Sequence, residues 1–244
     1  MVNLDKTWIC SDPHLNHGNI IKYCNRPFKS VNDMNEEIIN RHNSVVYPTD
    51  TVFILGDLGW PDPSEYVKKL NGNKILIRGN HDSEKVVSSL LRNNTIIGPV
   101  HDYFELTLKE YGILPIVMCH YPIESWNRKY HGAIHLHGHT HGTLDNSGLM
   151  RFDMGIDCND YYPFKLKDVL RMAEERLTEL GGKEGIRGNL GDKETYGLKE
   201  QVRPIARDSK MQELYKLAEE DVDKFLEEHR IYKEFYESRQ VNIP

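Results

Sequence analysis

The chain has 244 residues and a formal net charge of −6, long enough to bury one core with an appendage or two small ones. The acidic balance excludes a large face for extended duplex nucleic acid, which would be basic; a small nucleotide stays open because metal ions can supply positive charge locally. No run approaches the ~20 apolar residues that span a bilayer, and Met1–Lys6 carries no apolar leader, so the expectation is a cytoplasmic protein with no membrane partner.

Cys10, Cys24, Cys119 and Cys158 show no CxxC spacing, and Cys10 and Cys119 lie in apolar runs that read as buried free thiols. Thr7–Cys10 is a short apolar strand running into Ser11-Asp12-Pro13-His14. Asp12 and His14 point the same way if extended geometry continues. One hard oxygen and one imidazole then make half of a divalent-metal site; the alternative is a strand-to-loop turn. His17 and Asn19 either line a pocket or cap a helix that starts at Ile20. Val31–Val45 reads as a helix capped by Asn32 or Asp33, with Met34, Ile38, Ile39 and His42 on one stripe. Asp50–Leu55 is a second buried strand, and it ends in Gly56-Asp57. A short helix over Pro63–Leu70 leads to the Lys74–Arg78 strand, which ends in Gly79-Asn80-His81-Asp82. This alternation argues for an α/β fold, whose ligands sit at the C-terminal edge of the sheet.

Ser83–Arg92 reads as a helix, Thr95–Leu108 as strands at a sheet edge, and Leu114–Cys119 as a buried strand ending in His120. Five of the twelve histidines fall between His131 and His141. In an extended segment His135, His137, His139 and His141 share a side. His135 and His137 also read as strand residues with satisfied N–H groups, since Gly138 marks the strand end and leaves His139 and His141 in the turn. Phe152–Asp157 closes the sheet pattern, and Phe164–Leu180 reads as a helix with Leu166, Val169, Leu170, Ala173 and Leu177 on one face. The expected organisation is a body over residues 1–180, a Gly-rich charged linker or arm over 181–208, and an amphipathic helix over 209–244 that packs on the body or on a second copy.

The ordered series Asp-x-His, Gly-Asp, Gly-Asn-His-Asp, His and Gly-His-x-His resembles the calcineurin-like metallophosphoesterase family, with all five motifs present between Asp12 and His141. Ser11 through Arg26-Pro27-Phe28 and Tyr121-Pro122 to Trp126 resemble its small bacterial and phage phosphoesterases. The resemblance implies a four-layer αββα sandwich, here with a C-terminal helical extension. It implies two divalent ions per chain, Mn²⁺ first, with Fe, Zn or Ni as alternatives. Asp12, His14 and His141 would hold one ion, Asn80, His120 and His139 the other, and Asp57 would bridge them. A bridging hydroxide would attack phosphorus, with His81 assisting the leaving group and Asp82 orienting His81. The expected activity is hydrolysis of a phosphodiester in a small or nucleotide-like substrate. Alternatives are a phosphomonoesterase, a phosphoprotein phosphatase, or a non-catalytic metal-bound scaffold. His17, Asn19, Arg26, Trp126 and Arg128 are candidate substrate contacts, Arg for phosphate and Trp126 for stacking on a base; Arg26 and Trp126 also read as packing residues.

Overall fold

The computed structural model describes residues 2–188. Two four-stranded sheets face each other. The first is ordered β3-β2-β1-β8, with β1 (Thr7–Cys10), β2 (Thr51–Ile54) and β3 (Asn73–Leu76) parallel and β8 (Phe164–Lys165) antiparallel. The second is ordered β4-β5-β6-β7, with β5 (Ile113–Met118), β6 (Ile134–His137) and β7 (Arg151–Asp153) parallel and β4 (Phe104–Leu108) antiparallel at its edge.

The first sheet is apolar on both faces because both are covered. Ile9, Phe53, Leu55, Ile75 and Ile77 face Leu106, Ile116, Met118, Leu136 and Phe152 of the second sheet. The alternate residues Trp8, Cys10, Val52, Ile54 and Leu76 face α2 (Val31–Val45), α3 (Ser64–Val67) and α4 (Glu84–Arg92) through Met34, Ile38, Val67, Val86 and Leu90. Before them, α1 (Ile20–Tyr23) is a single turn. The α2 cap is Ser30, whose side chain accepts from the Asp33 N–H, rather than Asn32 or Asp33. Residues read as the first turn of one C-terminal helix form β8 instead, after which α5 (Leu166–Glu179) packs Leu166, Val169, Leu170 and Ala173 into the intersheet core.

Over the described residues, loops pack on the face of β6 that carries His135 and His137. Trp126 packs on His135, the Ile123 N–H donates to His135 Nε2, and Asn146 Nδ2 lies 3.2 Å from His137 Nε2. A short α6 (Gly182–Gly188) opens the stretch read as a linker, with Ile186 against the core. The remainder of 181–208 and the helix expected over 209–244 lie outside the described residues. No helix among the described residues is long and apolar enough to cross a membrane. All four cysteines are free, with Cys10 and Cys119 buried.

Candidate metal centre

The C-terminal ends of β1, β2, β3, β5 and β6 converge on one edge, where backbone bonds tie the sheets together. The Asp12 N–H donates to Gly56 O, His14 N–H to Asp57 O, Gly138 N–H to His120 O and Ser11 N–H to Met154 O. Asp12, His14, Asp57 and His120 form a buried floor, while Asn80, His81 and His139 stand exposed around it. Two groups gather their donor atoms within 4.8 Å and can hold a metal ion: Asp12, His14 and His141, and Asp12, Asp57 and His120. His139 belongs to neither; its ring lies edge-on to His120 at 5.1 Å and its backbone N–H donates to Asp12 Oδ2. Asp57 Oδ2 is central, 3.6 Å from His14 Nε2, 3.7 Å from His120 Nε2 and 3.9 Å from His81 Nε2.

The chemistry of these atoms fits a cation. Asp12 Oδ1 and His14 Nε2 are buried with no hydrogen-bond partner among the described residues, and lie 3.8 Å apart. His120 donates Nδ1–H to Leu55 O at 2.7 Å, which leaves the Nε2 lone pair facing Asn80 Oδ1 at 3.0 Å and Asp57 Oδ2. Acceptors converging without a donor are costly when buried, and a divalent ion meets that need. Burial pushes the Asp12 carboxyl up to about 6, against the pull of His120 and His141. Burial, then the Arg26 charge, drives His14 far below its ordinary range. Burial also lowers His141, but Asp157 and Asp12 outweigh it and raise this histidine overall.

Asp12, His14, Asp57, His139 and His141 all adopt left-handed backbone, a strained conformation for such residues that concentrates at functional sites. Close approach explains two of the motif glycines. At Gly56, φ +91°, a Cβ would lie 2.5 Å from the Gly79 backbone and 2.8 Å from His120 Nδ1, and at Gly138 it would run into Ser11 and Asp12.

Several expected roles change. The Asp82 carboxylate accepts from the N–H groups of Asp57, Leu58 and Gly79, so it ties the β2 and β3 loops together and does not orient the His81 ring. Arg26 is no substrate contact: its guanidinium is buried, paired with Asp157 through two bonds of 2.8 and 2.7 Å, and bonded to Asp12 O and Pro13 O. Trp126 is a packing residue whose Nε1–H donates to Ala133 O. Asn19 precedes α1, exposed and without a side-chain cap bond. Arg128 is exposed beside the Lys129–His131 turn, at the opposite end of β6 from Gly138. His17 does reach the site, with Nδ1 3.2 Å from His14 Nδ1. His135 and His137 are buried, with Nδ1–H donated to Val117 O and Gly138 O respectively, as the alternative reading of that segment has it.

Two carboxylates escaped sequence reasoning. Asp157 accepts from His141 Nδ1–H at 2.8 Å. Asp153 accepts from Thr140 Oγ1 and from the Gly142 N–H, and so holds the turn that carries His139 and His141.

No protein-family model matches the chain. It is 31% identical over 185 residues to the uncharacterized protein MJ1445 of Methanocaldococcus jannaschii, a match covering 71% of this chain and 94% of that protein. The chain belongs to the family of that protein. A solved protein of unknown function from Aquifex aeolicus, AQ665, is 26% identical, with a TM-score of 0.53 over 68% of this chain and 98% of its own, and shares the fold. A predicted phosphoesterase from Streptococcus pneumoniae is 18% identical, with a TM-score of 0.30 over 61% of this chain and 70% of its own, a likeness too loose to bear on activity.

Proposed function

We propose that the protein is a divalent-metal-dependent phosphoester hydrolase that acts on a diester of a small, nucleotide-like substrate. The carrying observation is the convergence of buried acceptors, Asp12 Oδ1, His14 Nε2, Asp57 Oδ2 and His120 Nε2, beneath an exposed histidine. Asp12, His14 and His141 would hold one ion and Asn80, His120 and His139 a second, with Asp57 between them. Bound ions supply positive charge for phosphoryl oxygens and lower the pKa of water.

The chain's own residues do the rest. His81 is 41% exposed beside Asp57, and its backbone N–H is fixed to Asp57 Oδ1 at 2.8 Å. This supports the reading of His81 as the imidazole at the mouth of the site that protonates the leaving oxygen as general acid. The fixed tautomers of His120 and His141 aim Nε2 inward.

The test is hydrolysis of bis(p-nitrophenyl) phosphate and p-nitrophenyl phosphate by metal-stripped protein, with Mn²⁺, Zn²⁺, Ni²⁺ or Mg²⁺ added back. Metal-restored cleavage of the diester, well above the monoester, is expected. Diester cleavage that persists unchanged in the stripped protein would refute the proposal, as would a protein that binds two ions and cleaves neither ester.

A further inference from the structure

The three tryptophans of the chain are placed very differently. Trp8 and Trp126 are buried, with Nε1–H donated to Asp50 Oδ2 and Ala133 O, each at 2.9 Å. Trp60 is 53% exposed. Its ring lies 5.9 Å from that of His17, and the His17 ring lies 5.3 Å from His14 and 5.7 Å from His81. Tyr121, 45% exposed, packs edge-on against His120 at 5.1 Å and His139 at 5.0 Å. Two exposed aromatic rings therefore flank the candidate metal centre, one against the His14 side and one against the His120 and His139 side.

Both rings sit on anchored backbone. The Trp60 N–H donates to Leu15 O at 3.0 Å, and Gly59 bridges Leu15, so the Trp60 backbone is tied to the loop that carries Asp12 and His14. A Cβ at Gly59 would collide with Leu15 O. Tyr121 follows directly on His120, whose carbonyl accepts from the Gly138 N–H at 2.9 Å. Such rings lose little freedom on binding, and a base can stack on either because every base has a π-face.

We infer that Trp60, with Tyr121 on the opposite rim as a second stacking surface, receives a nucleobase, so that the substrate is a nucleotide-class phosphate ester. The inference rests on the hydrolase reading, because that reading puts the phosphate over Asp57 and the base within a ring's reach of it. The net charge of −6 favours a mononucleotide or a short oligonucleotide over extended nucleic acid.

Two substrates with one chromophore test this: thymidine 5′-(p-nitrophenyl phosphate) and methyl p-nitrophenyl phosphate. In the metal-loaded protein the thymidine ester should have a KM lower by about 10-fold, within the range of base–aromatic stacking. Trp60→Ala should collapse most of that ratio, and Tyr121→Ala part of it. AMP should quench the intrinsic fluorescence of the Zn²⁺-loaded protein where ribose 5-phosphate does not, and Trp60→Ala should abolish the quench. Equal KM values for the two esters, or a ratio that survives both substitutions, would overturn the stacking role. Failure to cleave either ester with any metal would overturn the hydrolase reading instead. The AMP against ribose 5-phosphate comparison would then still decide the stacking role.

Discussion

Asp157→Asn separates what the Arg26–Asp157 pair does for the fold from what it does for the metal centre. The Arg26 guanidinium is fully buried and Asp157 nearly so. Burial alone would push the Asp157 carboxyl up, yet the bonds from His141 and Arg26 hold it below its ordinary value. The asparagine keeps the shape but removes the charge, and its amide N–H₂ opposes an Arg26 N–H in either orientation and His141 Nδ1–H as well in one of them. The guanidinium would retain Asp12 O and Pro13 O, both neutral acceptors. Breaking one side of a buried pair costs about 3–5 kcal/mol. At about 2–4 °C per kcal/mol for a body of this size, the thermal midpoint should fall by roughly 6–20 °C in chelator. If His141 ligates as proposed, loss of the carboxylate behind it should also weaken metal affinity by about 10–100-fold, read by calorimetric titration with Zn²⁺. An unchanged midpoint in chelator would refute the claim that Asp157 neutralises a buried charge. A lowered midpoint with unchanged affinity would refute its role behind His141.

His81→Ala should lower kcat on a diester substrate by about 10²–10⁴-fold while leaving metal stoichiometry at the wild-type value, and full activity in this variant would remove His81 from the chemistry. Acid stability should follow the buried histidines, because burial lowers His42, His101 and His135 to about 4 each. Below the unfolded value near 6.5 the unfolded chain takes up protons that the folded chain refuses. Stability is therefore full above about pH 6.5 and falls toward pH 4, by up to about 1.4 kcal/mol per pH unit for each group. His42→Gln, which can still donate to Asn71 O, should flatten the fall of the urea midpoint between pH 6.5 and 4.5; an unchanged slope would exclude His42.

The strands were legible because each is a short apolar run stopped by a polar cluster. Thr51–Ile54 is buried along its whole length, whereas Asn73–Leu76 opens on a half-buried Asn73 and a buried Lys74 whose ammonium donates to Leu70 O and Gly72 O before the apolar Ile75 and Leu76. The polar clusters were legible because chemistry demands particular residue types at strand ends, and the structure brings Asp12, His14, Asp57, Asn80, His81, His120, His139 and His141 to one edge. The supporting roles were not legible. Arg26 and Trp126 look like substrate contacts in sequence because the same side chains serve phosphate or base when exposed and packing when buried; only burial decides. Asp157 lies 16 residues after the histidine it orients, with no period linking them. Asp82 follows His81 in sequence, yet a tight turn aims its carboxylate at the backbone of Asp57, Leu58 and Gly79. Trp60 sits in a Gly-Trp-Pro turn that carries no signal of where its ring lies.

Those supporting carboxylates bear on why the centre holds its shape. Five of its residues take left-handed backbone, a conformation that costs on the order of 1–3 kcal/mol each and persists only when the surroundings over-determine it. Asp82 collects three backbone N–H groups from the β2 and β3 loops. Asp153 collects Thr140, Gly142 and Gly155 from the turn after β6 and its own loop. Asp157 joins that turn, through His141, to the Asp12 and Pro13 carbonyls by way of Arg26. These three clamps bind the loops to one another without passing through a metal ligand's inward-facing atom. The loops that carry the candidate donor atoms are therefore tied to one another by bonds of the protein's own. Under the proposed hydrolase function, a floor tied down in this way would have little freedom to adapt to different esters, which would leave discrimination to the rim, where His17, Trp60, His81 and Tyr121 stand.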